Sequence, residues 1–217
     1  MDSAHNNRLI ITLTGPSGTG KDTLAHELTK LDPSIKFMVT ATTRPPRAHE
    51  QDGVDYHFLS RENFLSKKER GEFLECNDAY LGNMYGTLKS VVEKEMANGF
   101  DLISSINWTG VKQFKEKMPV NTLSILILPP SVEELISRFE NRQKTSKEDK
   151  ETLARRLEQF RNDMAHIDKM DYVFTNGDMI GSCRGDYDHI VINDDVHQAT
   201  QALHQIIKDE RKKRNIS

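Results

Sequence analysis

The sequence of 217 residues predicts an α/β fold built around a parallel sheet, and three observations carry that expectation. Runs that read as fully buried strands, from Leu9 to Leu13, Phe100 to Ile106 and Leu123 to Leu128, are separated by helical patterns. The first of these strands feeds a glycine-rich loop that opens a helix, Gly15-Pro16-Ser17-Gly18-Thr19-Gly20-Lys21-Asp22-Thr23. Between the first and second units of the sheet, residues 41–100 break into short strands and turns, which reads as a small α+β insertion.

Strand, glycine-rich loop and helix form the context of a phosphate-binding P-loop. Glycines let successive backbone N–H groups turn toward phosphate oxygens, and the helix N-terminus adds partial positive charge. Lys21 is expected to reach the β and γ phosphates as a mobile point charge. The next residue departs from the motif. A serine or threonine hydroxyl ordinarily binds Mg²⁺ there, and Asp22 offers a carboxylate, itself a competent hard ligand.

Composition bounds the rest. A formal net charge of −3 argues against bulk attraction to nucleic acid. Two cysteines, Cys76 and Cys183, make no disulfide framework, and both read as free thiols in a reducing cytosol. No apolar run is long enough to span a membrane, and the opening residues do not read as a signal peptide. A cytoplasmic protein is expected.

Taken in order, the helix after the P-loop carries Leu24, Leu28 and Leu31 on one face, and Ile35 to Thr40 reads as a strand. Thr42-Thr43-Arg44-Pro45-Pro46-Arg47 is an extended loop, because two prolines forbid helix or central strand. Its arginines suit a phosphate, although paired loop arginines taken alone are more often solvated. Ser60 caps a helix anchored by Phe64 and Leu65. Strands follow around Phe73-Leu74-Glu75 and after Gly82, then a helix from about Leu88 to Asn98 that Gly99 stops.

The strand ending at Ser105 and Asn107 places both where ligands sit in open α/β sheets. Ser131 reads as a helix cap, with Leu135, Ile136 and Phe139 inward. A charged stretch from Gln143 to Glu151 follows, flanked by Arg138, Arg142, Arg155 and Arg156. It is either a solvated hairpin or a mobile lid. Of two late strand-like runs, Tyr187 to Asn193 is expected in the sheet, since it leads into an amphipathic helix from Val196 to Lys208. Tyr172-Val173-Phe174 is read as a surface excursion followed by a loop. The basic Arg211-Lys212-Lys213-Arg214 tail reads as a solvated helix end.

With the P-loop, the Thr-Thr-Arg-Pro-Pro-Arg loop, Asp55-Tyr56, Glu75, Gly82-Asn83-Met84-Tyr85-Gly86 and Asn193-Asp194-Asp195 in this order, the chain resembles the guanylate kinases. The resemblance implies an α/β P-loop NTPase three-layer sandwich with a parallel core sheet (8–40, 101–130 and 166–212). It adds a GMP-binding insertion (41–100) and a helical lid (131–165). It also implies transfer of the ATP γ-phosphoryl group to GMP with Mg²⁺. Neither nucleic acid nor membrane is an expected partner, and the state is monomer or homodimer.

By the same resemblance, Arg44, Arg47, Tyr56 and Tyr85 hold the GMP phosphate, and Glu75 accepts from guanine N–H groups. Thr40 and Thr87 stand at hydroxyl positions near the base. Arg138, Arg142 and Arg156 fall at the lid's phosphate-binding arginines, and Asn193 at a residue near the ATP adenine. The family strand usually ends Asp-x-Asp; here it reads Ser105-Ile106-Asn107. The first missing aspartate normally helps hold hydrated Mg²⁺ and the second contacts guanine. Losing a carboxylate there while gaining Asp22 reads as a relocation of metal-side charge. Asn107 can donate as well as accept, which weakens guanine selectivity.

The Gly-Lys-Asp loop and the missing strand-end aspartate also resemble ribose 1,5-bisphosphate phosphokinase, which has no guanine to bind. Glu75 and the full phosphate clamp favour GMP. A non-catalytic guanylate-kinase-like binding module is the third reading, and ATP binding separates it from both enzymes.

Overall fold

The computed structural model describes residues 8–48, 50–80, 82–131, 133–135, 137–138, 158, 173–175, 178–180 and 187–216. Five strands make the central sheet: β1 (Ile10–Thr14), β2 (Ile35–Phe37), β7 (Asp101–Ser105), β8 (Thr122–Leu128) and β11 (His189–Ile192). Their order is β11-β8-β1-β7-β2, and every pairing is parallel. The chain fills one side of β1 with β2 and β7, then crosses to the other with β8 and β11. β1 therefore sits at the point where strand order reverses, and the loop after it opens at the sheet's carboxyl edge.

Alternation along the strands sends side chains to two helical layers. Ile11, Leu13, Ile103, Leu123, Ile125 and Ile127 pack with Leu24, Ala25 and Leu28 of α1 (Lys21–Leu31) and with Ala199, Leu203 and Ile207 of the last helix, α5 (Val196–Lys213). On the opposite face, Ile10 and Leu102 pack with Val92 and Met96 of α3 (Lys89–Ala97) and Phe114 of α4 (Trp108–Lys117). Leu126 and Leu128 pack there with Val111. All seven β8 residues are buried, as a central parallel strand requires.

A second sheet, β4-β3-β6-β5, lies between β2 and β7 in sequence. It comprises β3 (Ala41–Thr42), β4 (His57–Phe58), β5 (Phe73–Tyr80) and β6 (Asn83–Leu88). Ala41, Phe73, Met84 and Leu88 pack with Phe64 of α2 (Arg61–Glu69), and the Phe64 and Phe73 rings stack at 4.4 Å. The β5–β6 register shifts between Phe73 and Glu75, as at a β-bulge. Leu74 thereby drops into the core, while Glu75 comes opposite Thr87 and Asn77 opposite Tyr85. Gly86 makes this possible: a Cβ there would lie 2.8 Å from the Glu75 carbonyl and 2.9 Å from the Phe73 ring.

Leu31 is the final residue of α1 and is 39% exposed; Ala25 takes its place in the buried stripe. Leu65 is equally exposed, because α2 buries only the face that carries Phe64. The early strand ends at Phe37 rather than Thr40, and α5 continues to Lys213. β11 is the sheet strand, as expected, but Asp178–Ile180 (β10) is a strand rather than loop. It pairs antiparallel with β9 (Val173–Thr175), apart from both larger sheets. In sequence, Asn-Gly between two strand-like runs is a two-residue hairpin signal, which the strand-end reading missed.

The basic tail is not simply solvated. Arg211 donates to Asp101 Oδ2 (2.7 Å), Asp32 Oδ2 (2.8 Å) and Ser34 Oγ (2.8 Å), and Asp101 Oδ1 accepts from the Leu9 amide (2.8 Å). This ties α5 to the starts of β1 and β7, at the edge opposite the P-loop. Arg214 is likewise bound, to Glu210 and to the Val120 and Thr122 carbonyls. Lys212 and Lys213 do have exposed side chains.

Candidate active site

The glycine-rich loop wraps the carboxyl end of β1. Gly15 has φ +140°, and a Cβ would lie 2.1 Å from the Ile127 carbonyl oxygen, so no side chain fits. The Thr19 hydroxyl donates to the Pro16 carbonyl at 3.0 Å, which closes the turn. Gly20 caps α1 without a side-chain hydrogen bond, so the helix's first N–H groups face the loop's mouth. Lys21 Nζ folds over the loop and donates to the Gly15 and Pro16 carbonyls, each at 2.8 Å. Such a cradle holds a polyphosphate through oriented amides, the helix dipole and one ammonium. Ser17 and Gly18 are half-buried in it, and Asp22 and Thr23 are exposed on the first turn of α1.

Asn193, just after β11, lies beneath this loop. It is 1% exposed, and its Nδ2 donates to the Thr19 carbonyl at 2.8 Å. Its position braces the loop from below. Its Oδ1 is buried and unpartnered among the described residues. Arg138 donates to the Asn193 carbonyl (3.0 Å), the Asp194 carbonyl (3.3 Å) and Glu134 Oε1 (3.0 Å), which joins the segment after β8 to the same loop. Ser131 Oγ accepts from the Glu134 amide at 3.1 Å, so the expected cap is present. Arg142, Arg155, Arg156, Ile136, Phe139 and Cys183 lie outside the described residues.

The insertion sheet brings a second cationic group together. Arg44 lies 5.4 Å from the Tyr56 ring and 5.9 Å from Phe58, and the Tyr56 and Tyr85 rings meet edge-on at 6.2 Å. Hydroxyls fix the loop that carries Arg44: Thr42 Oγ1 accepts from the Arg44 amide (3.1 Å) and Thr43 Oγ1 from the Met84 amide (2.9 Å). Glu50, which sequence reasoning missed, orients the guanidinium at 2.7 Å and accepts from the Arg47 amide at 2.8 Å. Those bonds hold the Glu50 carboxyl down at about 2. The Arg47 side chain is exposed. Burial pushes the Tyr56 hydroxyl up, and the charge of Asp22 adds to that effect, so Asp22 lies within electrostatic reach of this cluster.

Beyond the cluster sits a buried carboxylate. Glu75 is 3% exposed; Oε1 accepts from the Thr87 hydroxyl (2.9 Å) and Oε2 from Asn77 Nδ2 (3.1 Å). Burial raises its carboxyl to about 7, against the lowering pull of Thr87 and the Lys117 charge. Asn107 Oδ1 caps α4 by accepting from the Gly110 amide (2.9 Å), and also accepts from Asn77 Nδ2 (3.2 Å). Its acceptor is spent, which leaves its amide group as a donor. Thr40 is half-buried at the foot of β3, where its carbonyl accepts from the His57 amide at 2.9 Å. Asn77 and Thr109 also escaped the sequence reading, although a spacing of two from Glu75 puts Asn77 on the same strand face.

Helix α4 holds β5 in place. Gln113 accepts from the Cys76 amide (3.1 Å) and donates to its carbonyl (3.2 Å), while Lys117 donates to the Phe73 carbonyl at 3.0 Å. Glu75 is thus fixed to the same helix that Asn107 begins.

A P-loop at the sheet's switch point, facing an arginine–tyrosine cluster and a buried carboxylate on an inserted sheet, defines a P-loop phosphotransferase. Comparison with known proteins narrows the class. Residues 6–184 match the family model described as guanylate kinase. The chain is 38% identical over 208 residues to a guanylate kinase of Rickettsia prowazekii, covering 96% of this chain and 94% of that protein. It is 41% identical over 172 residues to one of Cereibacter sphaeroides, covering 79% and 80%. A solved guanylate kinase of Anaplasma phagocytophilum superposes with TM-score 0.67 at 28% identity, covering 94% of this chain and 87% of that one. The chain belongs to the guanylate kinase family.

Proposed function

We propose that this chain is an ATP:GMP phosphotransferase that transfers the γ-phosphoryl group of ATP to GMP, giving ADP and GDP. The observation that carries the acceptor assignment is Glu75: a buried carboxylate bonded to Thr87, on the sheet face that also carries Tyr85. Guanine's Watson–Crick edge offers N1–H and the N2 amino group as donors, which an ionised carboxylate accepts, whereas adenine presents an acceptor at N1. A sugar bisphosphate has hydroxyls to donate to a carboxylate but no base edge with paired N–H groups for it to read.

Phosphoryl transfer is mostly positioning and charge neutralisation. The P-loop amides from Gly15 to Thr23 would hold the ATP phosphates, with Lys21 exchanging its two carbonyl partners for phosphate oxygens. Arg44, held by Glu50, would take the acceptor phosphate with Arg47, Tyr56 and Tyr85. Arg138 would act with Arg142 and Arg156 from a lid at 131–165, excluding water as it closes. No general base is needed, because the attacking phosphate oxygen is already ionised near neutral pH.

Asp22 is an exposed hard oxygen donor on the first turn of α1, beside Lys21, so it suits a cation bound to the donor phosphates. Bound there, Mg²⁺ would neutralise charge on the transferring phosphates. Among the described residues no group of three carboxylate, histidine or cysteine side chains could cage a metal, which suits an ion held mainly by phosphates and water. We place the enzyme in the cytoplasm as a monomer or homodimer. Among the described residues no helix is long and apolar enough to cross a membrane.

The test is a coupled ADP-release assay with ATP and Mg²⁺, comparing GMP, dGMP, AMP and ribose 1,5-bisphosphate. Preference for GMP is expected. Turnover with the sugar bisphosphate alone would overturn the acceptor assignment, and ATP binding without turnover of any acceptor would overturn the enzyme.

A further inference from the structure

We propose that Asn77 is a positioning residue for base recognition, aiming the Glu75 carboxylate and coupling it to the start of α4. The inference rests on the GMP reading and adds a residue that neither the motif nor the family comparison assigns.

The geometry allows one orientation of the Asn77 amide. Its Nδ2 lies between two acceptors, Glu75 Oε2 at 3.1 Å and Asn107 Oδ1 at 3.2 Å. Its Oδ1 accepts from Thr109 Oγ1 at 2.7 Å. Flipping the amide would set a carbonyl oxygen against two oxygens and forfeit both bonds. Asn107 cannot flip to compensate, because its Oδ1 caps α4 through the Gly110 amide. One orientation therefore propagates from the helix terminus, through Asn107 and Asn77, to the carboxylate, with the single Thr109 hydroxyl proton spent on Asn77 Oδ1.

The register makes this chain of bonds relevant to recognition. Asn77 pairs with Tyr85 and Glu75 with Thr87, so all four positions share one face of the insertion sheet. Asn77 and Thr87 together hold one carboxylate oxygen each, which fixes the plane of the carboxylate. The remaining lone pairs face a base in one geometry. The charged side chain facing Glu75 from α4 is Lys117, whose ammonium is bound to the Phe73 carbonyl. Asn77 is thus the donor that ties the carboxylate to α4's first turn.

The test is steady-state kinetics of Asn77→Ala with GMP and ATP from pH 5.5 to 9. The expected result is a rise in KM for GMP of about tenfold, for loss of one hydrogen bond to a charged acceptor, with the loss on KM rather than kcat and KM for ATP unmoved. The pH at which KM for GMP inflects moves upward, since a donor to the ionised form is gone. Asn77→Asp, which sets a second carboxylate against Glu75, shifts both readouts further. A merely structural role would lower stability without moving the inflection.

Asn77→Ala with KM for GMP within about twofold of wild type and an unmoved inflection would overturn the proposal. Should that variant fold poorly by circular dichroism, Thr109→Val removes only the hydroxyl that anchors Asn77. A smaller shift in the same direction supports the proposal, and none overturns it. Wild-type enzyme that does not turn over GMP at any pH would instead sink the functional reading, and this inference with it.

Discussion

Glu75→Gln separates what Glu75 costs the fold from what it contributes to binding. Burial raises the carboxyl from an ordinary 4.5 to about 7. Between those values the folded state holds the proton more tightly than the unfolded chain does. The stability Glu75 contributes is therefore fully present below about pH 4.5 and is lost as pH rises through about 7. At 1.36 kcal/mol per unit, the loss is about 3 kcal/mol above neutrality. Glutamine keeps an acceptor for Thr87 and carries no charge to bury, while its amide nitrogen meets the Asn77 Nδ2 donor at a cost that does not vary with pH. In urea unfolding from pH 5 to 9, the stability of the variant relative to wild type should rise with pH and level off above about 7. GMP should act oppositely: KM for GMP falls with rising pH in the wild type as the carboxylate ionises. In the variant KM is high and flat. A stability difference independent of pH across that range would refute the reasoning, because it would mean that Glu75 titrates as an exposed carboxyl.

Lys21→Ala should lower kcat at least about a hundredfold while leaving the unfolding midpoint near wild type, since the ammonium folds back onto loop carbonyls, Gly15 and Pro16 among its partners. Asp22→Asn should raise the Mg²⁺ concentration needed for half-maximal turnover; an unchanged Mg²⁺ titration would dismiss the relocated carboxylate. Glu50→Gln should raise KM for GMP by loosening Arg44. The wild-type pair should persist across ordinary pH, because its stabilisation is present above about 4.5 and fades only as pH falls toward about 2. Arg211→Ala leaves the fully buried Asp101 carboxylate without its charge partner and should cost about 3–5 kcal/mol in urea unfolding, with kcat little changed.

The central sheet was legible because buried parallel strands are continuous apolar runs, and Leu123 to Leu128 could hardly be anything else. The P-loop was legible because its chemistry is local: consecutive amides and one lysine, all within nine residues. Contacts between distant segments were not. Arg211 reads as one more charge in a basic tail until Asp101 and Asp32, both remote in sequence, close around it. Asn193 looks like a ligand contact in sequence, and only the fold shows its amide bracing the Thr19 carbonyl. Asn77 was within reach of strand periodicity, but a bulge at Glu75 resets the phase of β5, so its face could not be counted from Phe73. Asn107 kept its hydrogen-bonding capacity on paper. Its role as the α4 cap, which spends the oxygen, depends on where that helix starts.

The rungs from α4 to β5 also bear on how the molecule behaves at high concentration. β5 is a border strand of the insertion sheet, and an open border of that length is a template for pairing with another chain. Gln113 meets both the amide and the carbonyl of Cys76, and Lys117 meets the Phe73 carbonyl, so over Phe73–Cys76 the helix occupies groups an incoming strand would need. At the other border, β4 spans only His57–Phe58, too short to recruit a partner. The side chains that steady β5 beside Glu75 therefore also blunt the first half of that border against intermolecular pairing.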